Sequence, residues 1–250
     1  MLEQGVQMRS ISWCGAALLC LISTAASAQQ VKWVLETLTV TDYELSDVGK
    51  IAYHGPGQQT SLTASYGSCF GNIWNWRAFS DGHGFNPSEI DYNLGCKVQL
   101  GGIDLNLGVS YFDLPKQFKS LDDEVQGFIG LGKSFVNGSN TFTVSADVKP
   151  NFPLGSNSGL YSEFGFVDQW KAMERLTLVF SGRLLNDTGA FGNTPGWNAR
   201  GDVTAIVALK PGALDWKVGV RGLVPLSKFD NPADPRKDSV FGYTGLTTRF

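Results

Sequence analysis

The chain has 250 residues and a formal net charge of −3, and charged residues make up 17% of it. This near-neutral balance gives no electrostatic basis for binding nucleic acid. After residue 28 no apolar run is long enough for a membrane-spanning helix. Cysteine is too rare for a small disulfide-stapled framework.

The N-terminus has the form of a secretion signal. Arg9 precedes the apolar stretch ISWCGAALLCLI, and the segment ends in Ala26-Ser27-Ala28, a small-residue pattern that signal peptidase accepts. A transmembrane anchor is the alternative, but the apolar core is short and polar residues follow it at once. We therefore expect residues 1–28 to be a cleaved signal peptide and residues 29–250 to form the mature chain.

Beyond the signal, apolar and polar residues alternate in one stretch after another, the period-two pattern of β-strands. The first stretch, 33–45, has strand composition, although Glu36 interrupts its apolar face. The later stretches are 60–70, 72–80, 89–100, 103–113, 123–136, 142–148, 159–170, 176–184, 200–209, 215–224 and 239–250. The pattern predicts about twelve strands, or ten to twelve if the first stretches fail.

The connections between these stretches alternate strictly in length. Short ones are Gly101-Gly102, NGSN, KAME and KPGA, all with hairpin chemistry. Long ones, rich in Gly, Asn, Asp and Pro, cover 46–58, 81–88, 114–122, 151–158, 186–198 and 224–238. This alternation places all long loops at one end, and an even number of strands brings both termini to the other end.

Two architectures fit such strands. In a soluble β-sandwich the apolar faces pack on each other, whereas in a membrane barrel they face lipid and the polar faces line the interior. The strands run ten to twelve residues, the length that crosses a bilayer at a tilt. Aromatic residues that form an interfacial girdle are expected near the strand ends. They are Trp74, Trp76, Tyr92, Tyr111, Phe135, Trp170, Trp216 and Phe250. We therefore predict an all-β fold, a single antiparallel transmembrane β-barrel.

The signal, the alternating strands, the unequal loops and the terminal TTRF resemble a Gram-negative outer-membrane β-barrel. The stretch SEIDYNLGCKVQLGGIDLNLGVSYFDLP is also similar to small proteobacterial barrel proteins. The resemblance implies short periplasmic turns, longer extracellular loops, location in the outer membrane and contact with its lipid. It also implies recognition of the last strand by the barrel-assembly machinery through Phe250, although Thr244 and Thr248 stand where that class has hydrophobic residues.

Charged residues on the polar faces are candidates to line the lumen. Those predicted to point inward are nearly balanced in sign, whereas an ion-selective pore is expected to carry an excess of one sign. Either the charges pair across a narrow lumen and stiffen the barrel, or they form a mixed track for small zwitterionic or polar solutes. The candidates are Glu89, Asp91, Lys97, Asp104, Glu124, Asp147, Lys149, Glu163, Arg183, Arg200, Asp202, Lys217 and Arg221. Arg77 and Asp215 are also predicted to point inward.

Catalytic and metal-binding patterns are weak. His54 and His83 fall in predicted long loops, where a rim hydrolase would carry its site, but neither stands in a recognisable triad. The acids of DNPADPRKD do not have the spacing of a calcium loop. We predict no catalytic residues, no metal and no cofactor.

Two further features have competing interpretations. Trp74 and Trp76 could form a sugar platform, but packing toward lipid in the girdle is favoured. Cys69 and Cys96 lie on non-neighbouring strands of the predicted map, which favours two free thiols over a disulfide.

The sequence favours a narrow passive channel for small polar solutes. The alternatives are a rim hydrolase, a non-conducting structural or adhesive barrel, and a soluble β-sandwich. The architecture alone does not decide among the barrel functions.

Overall fold

A computed structural model describes residues 30–45, 50–79, 88–113, 123–153, 158–190, 194–229 and 236–250. Twelve strands form one sheet that closes into a barrel. The strands are β1 (Lys32–Leu45), β2 (Lys50–Tyr66), β3 (Cys69–Ala78), β4 (Ser88–Leu100), β5 (Ile103–Asp113), β6 (Glu124–Asn137), β7 (Asn140–Pro153), β8 (Gly159–Met173), β9 (Leu176–Asp187), β10 (Gly196–Lys210), β11 (Leu214–Pro225) and β12 (Ser239–Arg249). The predicted signal peptide lies outside the described residues.

Every strand pairs antiparallel with its neighbours in the sequence, and β1 closes the barrel by pairing with β12. Val34 lies opposite Arg249, and the Trp33 N–H donates to the Phe250 carbonyl at 2.9 Å. The predicted single antiparallel barrel of twelve strands is confirmed. The sandwich alternative is wrong, because one continuous sheet closes on itself.

Connections of two or three residues join the strands at one end, which we call the short-turn end, and the longer connections lie at the opposite, long-loop end. At Gly101 and Gly102 the φ angles are +58° and +80°, the left-handed pair that a two-residue hairpin turn requires. Both chain ends of the barrel lie at the short-turn end, as predicted. The first long connection is shorter than predicted, because β2 already begins at Lys50.

The apolar residues of the alternating pattern point outward. Leu94 is 63% exposed, Ile129 53% and Phe164 51%, so no second layer formed by the described residues covers them. Such an exposed apolar surface all round a closed barrel is the surface that a transmembrane barrel presents to lipid. No helix among the described residues is long and apolar enough to cross a membrane.

Strand β3 reverses the phase of the pattern. Because the turn lies at Gly67-Ser68, its outward positions are Cys69, Gly71, Ile73, Asn75 and Arg77, and its aromatic side chains Phe70, Trp74 and Trp76 point inward. The predicted inward orientation of Arg77 is therefore wrong, since this residue lies on the outward face and is exposed. The predicted placement of Trp74 and Trp76 in the lipid-facing girdle is also wrong: Trp76 is inside the barrel with no exposed surface.

The position of the same turn also determines which residue lies opposite Cys69. Cys69 is the first residue of β3, and in the ladder it lies directly opposite Cys96 of β4, with their Cα atoms 3.9 Å apart. The two residues form a disulfide, so the prediction of two free thiols is wrong. The predicted map had placed Cys69 at the end of the preceding strand, one strand too far from Cys96.

Candidate functional site in the barrel interior

The barrel interior receives the side chains of all the predicted lumen-lining residues. Glu163 illustrates how the register fixes this: it lies opposite Leu185, which is 1% exposed, whereas the next residue, Phe164, is 51% exposed on the outer surface. The interior positions are Glu89, Asp91 and Lys97 on β4, Asp104 on β5, Glu124 on β6, Asp147 and Lys149 on β7, Glu163 on β8, Arg183 on β9, Arg200 and Asp202 on β10, and Lys217 and Arg221 on β11. That they line a conducting path stays a prediction.

Four of the interior charged residues form one cluster, which we call the charge cluster: Glu44, Arg200, Asp202 and Arg221. Arg221 donates to both acids, and the Arg200 guanidinium lies 3.4 Å from Glu44 and 3.8 Å from Asp202. A register shift between Tyr43 and Glu44 breaks the alternation at the end of β1, and both residues are buried. Because each charge has a partner of opposite sign, the cost of its burial is offset.

A second group of interior charges lies beside this cluster. Glu163 of β8 accepts from Arg183 of β9, and the Lys149 ammonium of β7 lies 3.9 Å from the same carboxylate. Arg183 lies directly opposite Arg200 in the β9–β10 ladder, so the two groups are neighbours on the barrel wall. The interior charges of β7 to β11 therefore form a continuous band rather than isolated residues.

Toward the short-turn end the ion pairs become more exposed. Lys97 lies 2.7 Å from Asp104, and the lysine side chain is 55% exposed. Arg249 donates to Asp215 at 2.6 Å, and Lys217 pairs with Glu36. Asp215 thus lies inside, as predicted, and Glu36, the residue that interrupts the apolar face of the first stretch, is an interior ion-pair partner.

An aromatic cluster, which we call the aromatic wall, lies on β1 to β3: Tyr43, Tyr53, Trp74 and Trp76. Tyr43 stacks on Trp76 with ring centroids 4.2 Å apart and on Trp74 at 6.2 Å, and Tyr53 meets the edge of Trp76 at 5.4 Å. The Tyr43 hydroxyl donates to Glu89, which is 3% exposed. This wall was not predicted from the sequence. The signal that could have revealed it is the phase of β3, whose aromatic residues lie on the side that is polar in most other strands.

Phe128 of β6 fills another part of the interior. Gly95 and Gly108 lie beneath its ring, and a Cβ atom built at Gly108 would lie 2.1 Å from the ring carbon Cζ. Phe70 contributes a second ring over Gly95. Glycine is required here because the rings occupy the space in which side chains of β4 and β5 would lie.

The half of the barrel near the long loops is filled by side chains, which we call the buried layer. Its members are no more than 5% exposed and come from every strand except β2. They include Tyr43, Trp76, Glu89, Ser110, Glu124, Asn151, Tyr161, Leu185, Asn198, Leu223 and Phe241. These side chains narrow the interior at this level in the described part of the chain.

Below the buried layer, toward the short-turn end, lies a cavity of about 280 Å³. Its walls combine charged and neutral polar groups with apolar side chains such as Leu38 and Ile206. The polar lining residues include Glu36, Gln59, Gln169, Thr204, Lys217 and Tyr243. Glu44 and Arg221 also line it, so the charge cluster forms its boundary on the long-loop side. We call this cavity the vestibule. It has the size and polarity to hold water and a small polar solute.

At the long-loop end, a buried ion pair joins two connections. The Arg236 guanidinium lies 3.4 Å from Asp187, donates to the Thr194 carbonyl at 2.9 Å and stacks on Phe229 at 4.2 Å from the ring centroid. Both charged side chains are 1% exposed. These contacts fasten the described parts of the connections before β10 and before β12 to the mouth of the barrel.

The candidate catalytic and metal-binding residues form no site in the described part of the chain. His54 lies on β2, and its Nδ1 is 3.1 Å from Asp42 while the side chain is 78% exposed. His83, Asp230 and Asp234 lie outside the described residues. No group of three metal-ligating side chains occurs where the chain is described.

Comparison with known proteins gives a result at the level of fold. No family model matches the chain, and no curated protein matches it. Among solved structures, the NanC porin is similar with a TM-score of 0.55 and 8% identity, over 87% of this chain and 98% of that one. The COG4313 outer membrane channel from Pseudomonas putida F1 is similar with a TM-score of 0.53 and 8% identity, over 89% and 95%.

The likeness to these two structures extends over most of each chain. The chain has the fold of an outer-membrane β-barrel. LpxR from Salmonella typhimurium is another structure with this fold, with a TM-score of 0.54 and 6% identity over 86% of this chain and 99% of that one. One of these proteins is a porin and another is a channel, but at such low identity the likeness concerns the fold alone.

Proposed function

We propose that this outer-membrane barrel is a narrow passive channel for small polar solutes, and that the charge cluster is its constriction. One observation carries the proposal: Glu44 belongs both to the wall of the vestibule and to the buried layer, and its ion-pair partner Arg221 lines the vestibule beside it. A solute in the vestibule therefore meets charged groups of both signs at the edge of the buried layer.

The mixed signs of these groups determine the class of solute. Arg221 and Lys217 offer cationic donors, and Glu36 and Glu44 offer anionic acceptors, all on the vestibule wall. A solute that carries both donors and acceptors, or both charges, replaces the ion pairs that it separates, whereas a simple ion leaves one partner unpaired. Small zwitterions and polyols are therefore the preferred solutes of the proposed channel.

Planar-bilayer recording of the refolded protein tests this proposal. Wild type is expected to give small current steps, and the double variant Glu44→Gln/Arg221→Gln should have about tenfold higher open probability, equivalent to roughly 1.4 kcal/mol. The double variant Lys97→Gln/Asp104→Asn is the matched control, because this exposed pair lies outside the buried layer. If neither wild type nor the Glu44→Gln/Arg221→Gln variant conducts, the channel proposal is wrong, and the protein is a non-conducting barrel.

The hydrolase alternative has one supporting contact. His54 lies beside Asp42 near the long-loop end of β2, in the arrangement of a base with its orienting acid. Among the described residues no hydroxyl or thiol group hydrogen-bonds to His54, and so we do not propose a hydrolase.

We also propose the route by which the barrel reaches the membrane. Cleavage after Ala28 would release a chain that begins at Gln29, and the last strand ending in Phe250 would be recognised by the barrel-assembly machinery. The mass of the chain extracted from outer membranes tests the cleavage. Loss of membrane insertion on deletion of Phe250, with normal export, tests the second step.

A further inference from the structure

An acidic residue lies on the lipid-facing surface of β8. Asp168 is paired with Phe142 of β7 and with Phe180 of β9, which face outward and are 39% and 40% exposed. The neighbouring residue Gln169 points the other way, into the vestibule. One carboxylate oxygen of Asp168, Oδ1, is buried and has no hydrogen-bond partner within the described part of the chain.

A basic residue lies on the same surface two strands away. Lys133 of β6 follows Leu131 on the outward face, and its ammonium lies 5.4 Å from the centroid of the Phe135 ring. In the ladders Phe135 pairs with Phe142, and Phe142 pairs with Asp168. The two opposite charges thus lie on either side of β7, with aromatic side chains between them.

This patch lies near the short-turn end. Trp170 follows Asp168 on the outward face and is 46% exposed, and it pairs with Asn140 next to the β6–β7 turn. Exposed aromatic residues at a strand end mark the level at which hydrocarbon gives way to lipid headgroups. The rings of Phe142 and Phe166 stack beside the two charges at 6.0 Å between centroids, an apolar surface on which acyl chains can pack.

A charged side chain at this level requires a partner. The long stem of Lys133 can carry its ammonium toward the headgroups, but the short side chain of Asp168 cannot reach far along the surface. In a bilayer, a barrel surface at this level adjoins phospholipids, whose headgroups bring their own charges. A headgroup with a phosphate and a primary ammonium matches a lysine and an aspartate on the same patch.

We propose that Lys133 and Asp168 bind the headgroup of a zwitterionic phospholipid, with the phosphate at Lys133 and the primary ammonium at Asp168. This site is independent of the proposed channel, because it lies on the outer surface and requires only that the barrel is surrounded by lipid. A second copy of the chain could also offer Lys133 to Asp168. Lipid is favoured because both charges lie within one patch that lipid already covers.

Native mass spectrometry of the full mature barrel in a neutral detergent tests the site. The probes are phosphatidylethanolamine, phosphatidylcholine, whose methylated ammonium cannot donate hydrogen bonds, and phosphatidylglycerol, which lacks the ammonium. Wild type is expected to retain phosphatidylethanolamine about fivefold better than the other two, the size expected for one partly exposed ion pair. Asp168→Asn should abolish this preference, and Lys133→Gln should weaken retention of all three lipids.

Two variants at the opposite end of the outer surface serve as controls. Asp113→Asn and Arg77→Gln remove an outward acid and an outward base near the long loops, and they should leave the lipid preference unchanged. Equal retention of the three lipids by wild type, or an unchanged preference in Asp168→Asn, would overturn the proposal. A wild-type dimer that dissociates in Asp168→Asn would assign the patch to a second copy instead.

Discussion

At Gly108 the interior packing leaves no room for a methyl group. A Cβ atom there would lie 2.1 Å from Cζ of Phe128 and 2.2 Å from the backbone oxygen of Leu94. The backbone contact cannot be relieved by a rotamer change. Gly108→Ala should therefore lower the free energy of unfolding by about 1–3 kcal/mol, the usual cost of overpacking.

Urea unfolding followed by tryptophan fluorescence measures this effect. Gly132→Ala is the matched control, because Gly132 also lies inward on a neighbouring strand but the nearest atom to its Cβ position is 3.7 Å away. An equal loss of stability in both variants would show that backbone conformation, and not the Phe128 ring, determines the cost.

The buried charge cluster should respond strongly to loss of one partner. Glu44 is 5% exposed and pairs with both Arg200 and Arg221. Glu44→Gln leaves these guanidinium groups incompletely compensated and should destabilise the barrel by roughly 3 kcal/mol. Asp104→Asn, which removes the partner of the exposed Lys97, should cost at most about 1 kcal/mol in the same urea titration. Equal losses of stability in Glu44→Gln and Asp104→Asn would mean that water reaches the charge cluster.

At the scale of single strands, the inward and outward faces were predicted correctly where the turn position was clear from the sequence, and wrongly where it was not. In β4 and β5 the alternation is regular, and the outward apolar residues were predicted correctly from it. In β3 the turn at Gly67-Ser68 lacks the stronger hairpin pattern of Gly101-Gly102, and a displacement of the turn by a few residues exchanges the two faces. The errors for Arg77, Trp74, Trp76 and Cys69 all have this single cause.

The disulfide between β3 and β4 gives a prediction for this pair of strands. It closes a segment with a sequence separation of 27 residues, and in the chain-entropy description a loop of this size contributes about 3 kcal/mol. The double variant Cys69→Ser/Cys96→Ser should lose about that much stability. As a direct measurement, the unfolded wild-type chain should react with a maleimide only after reduction, and reaction of both cysteines without reductant would contradict the bond.

At the scale of the whole molecule, the closed fold was predictable because the outward face of nearly every strand repeats one physical requirement, contact with an apolar solvent. The filling of the interior was not predictable in the same way. Arg200 and Glu44 are separated by 156 positions in the chain, and their contact depends on closure of the barrel and on the irregular register near Tyr43. Alternation identifies a polar face, but it does not show which inward side chains meet.

We expect lipid to cover the apolar outer face of this barrel. Nitroxide labels at Leu94, Leu107 and Val144, introduced as single cysteines into the reconstituted barrel, test it through collision with oxygen and with a water-soluble nickel complex. A label at Gln59, which lines the vestibule, is the interior control. We predict that the outward labels collide readily with oxygen and poorly with nickel. Labels that are protected from both reagents would show that protein covers this face and would contradict the account.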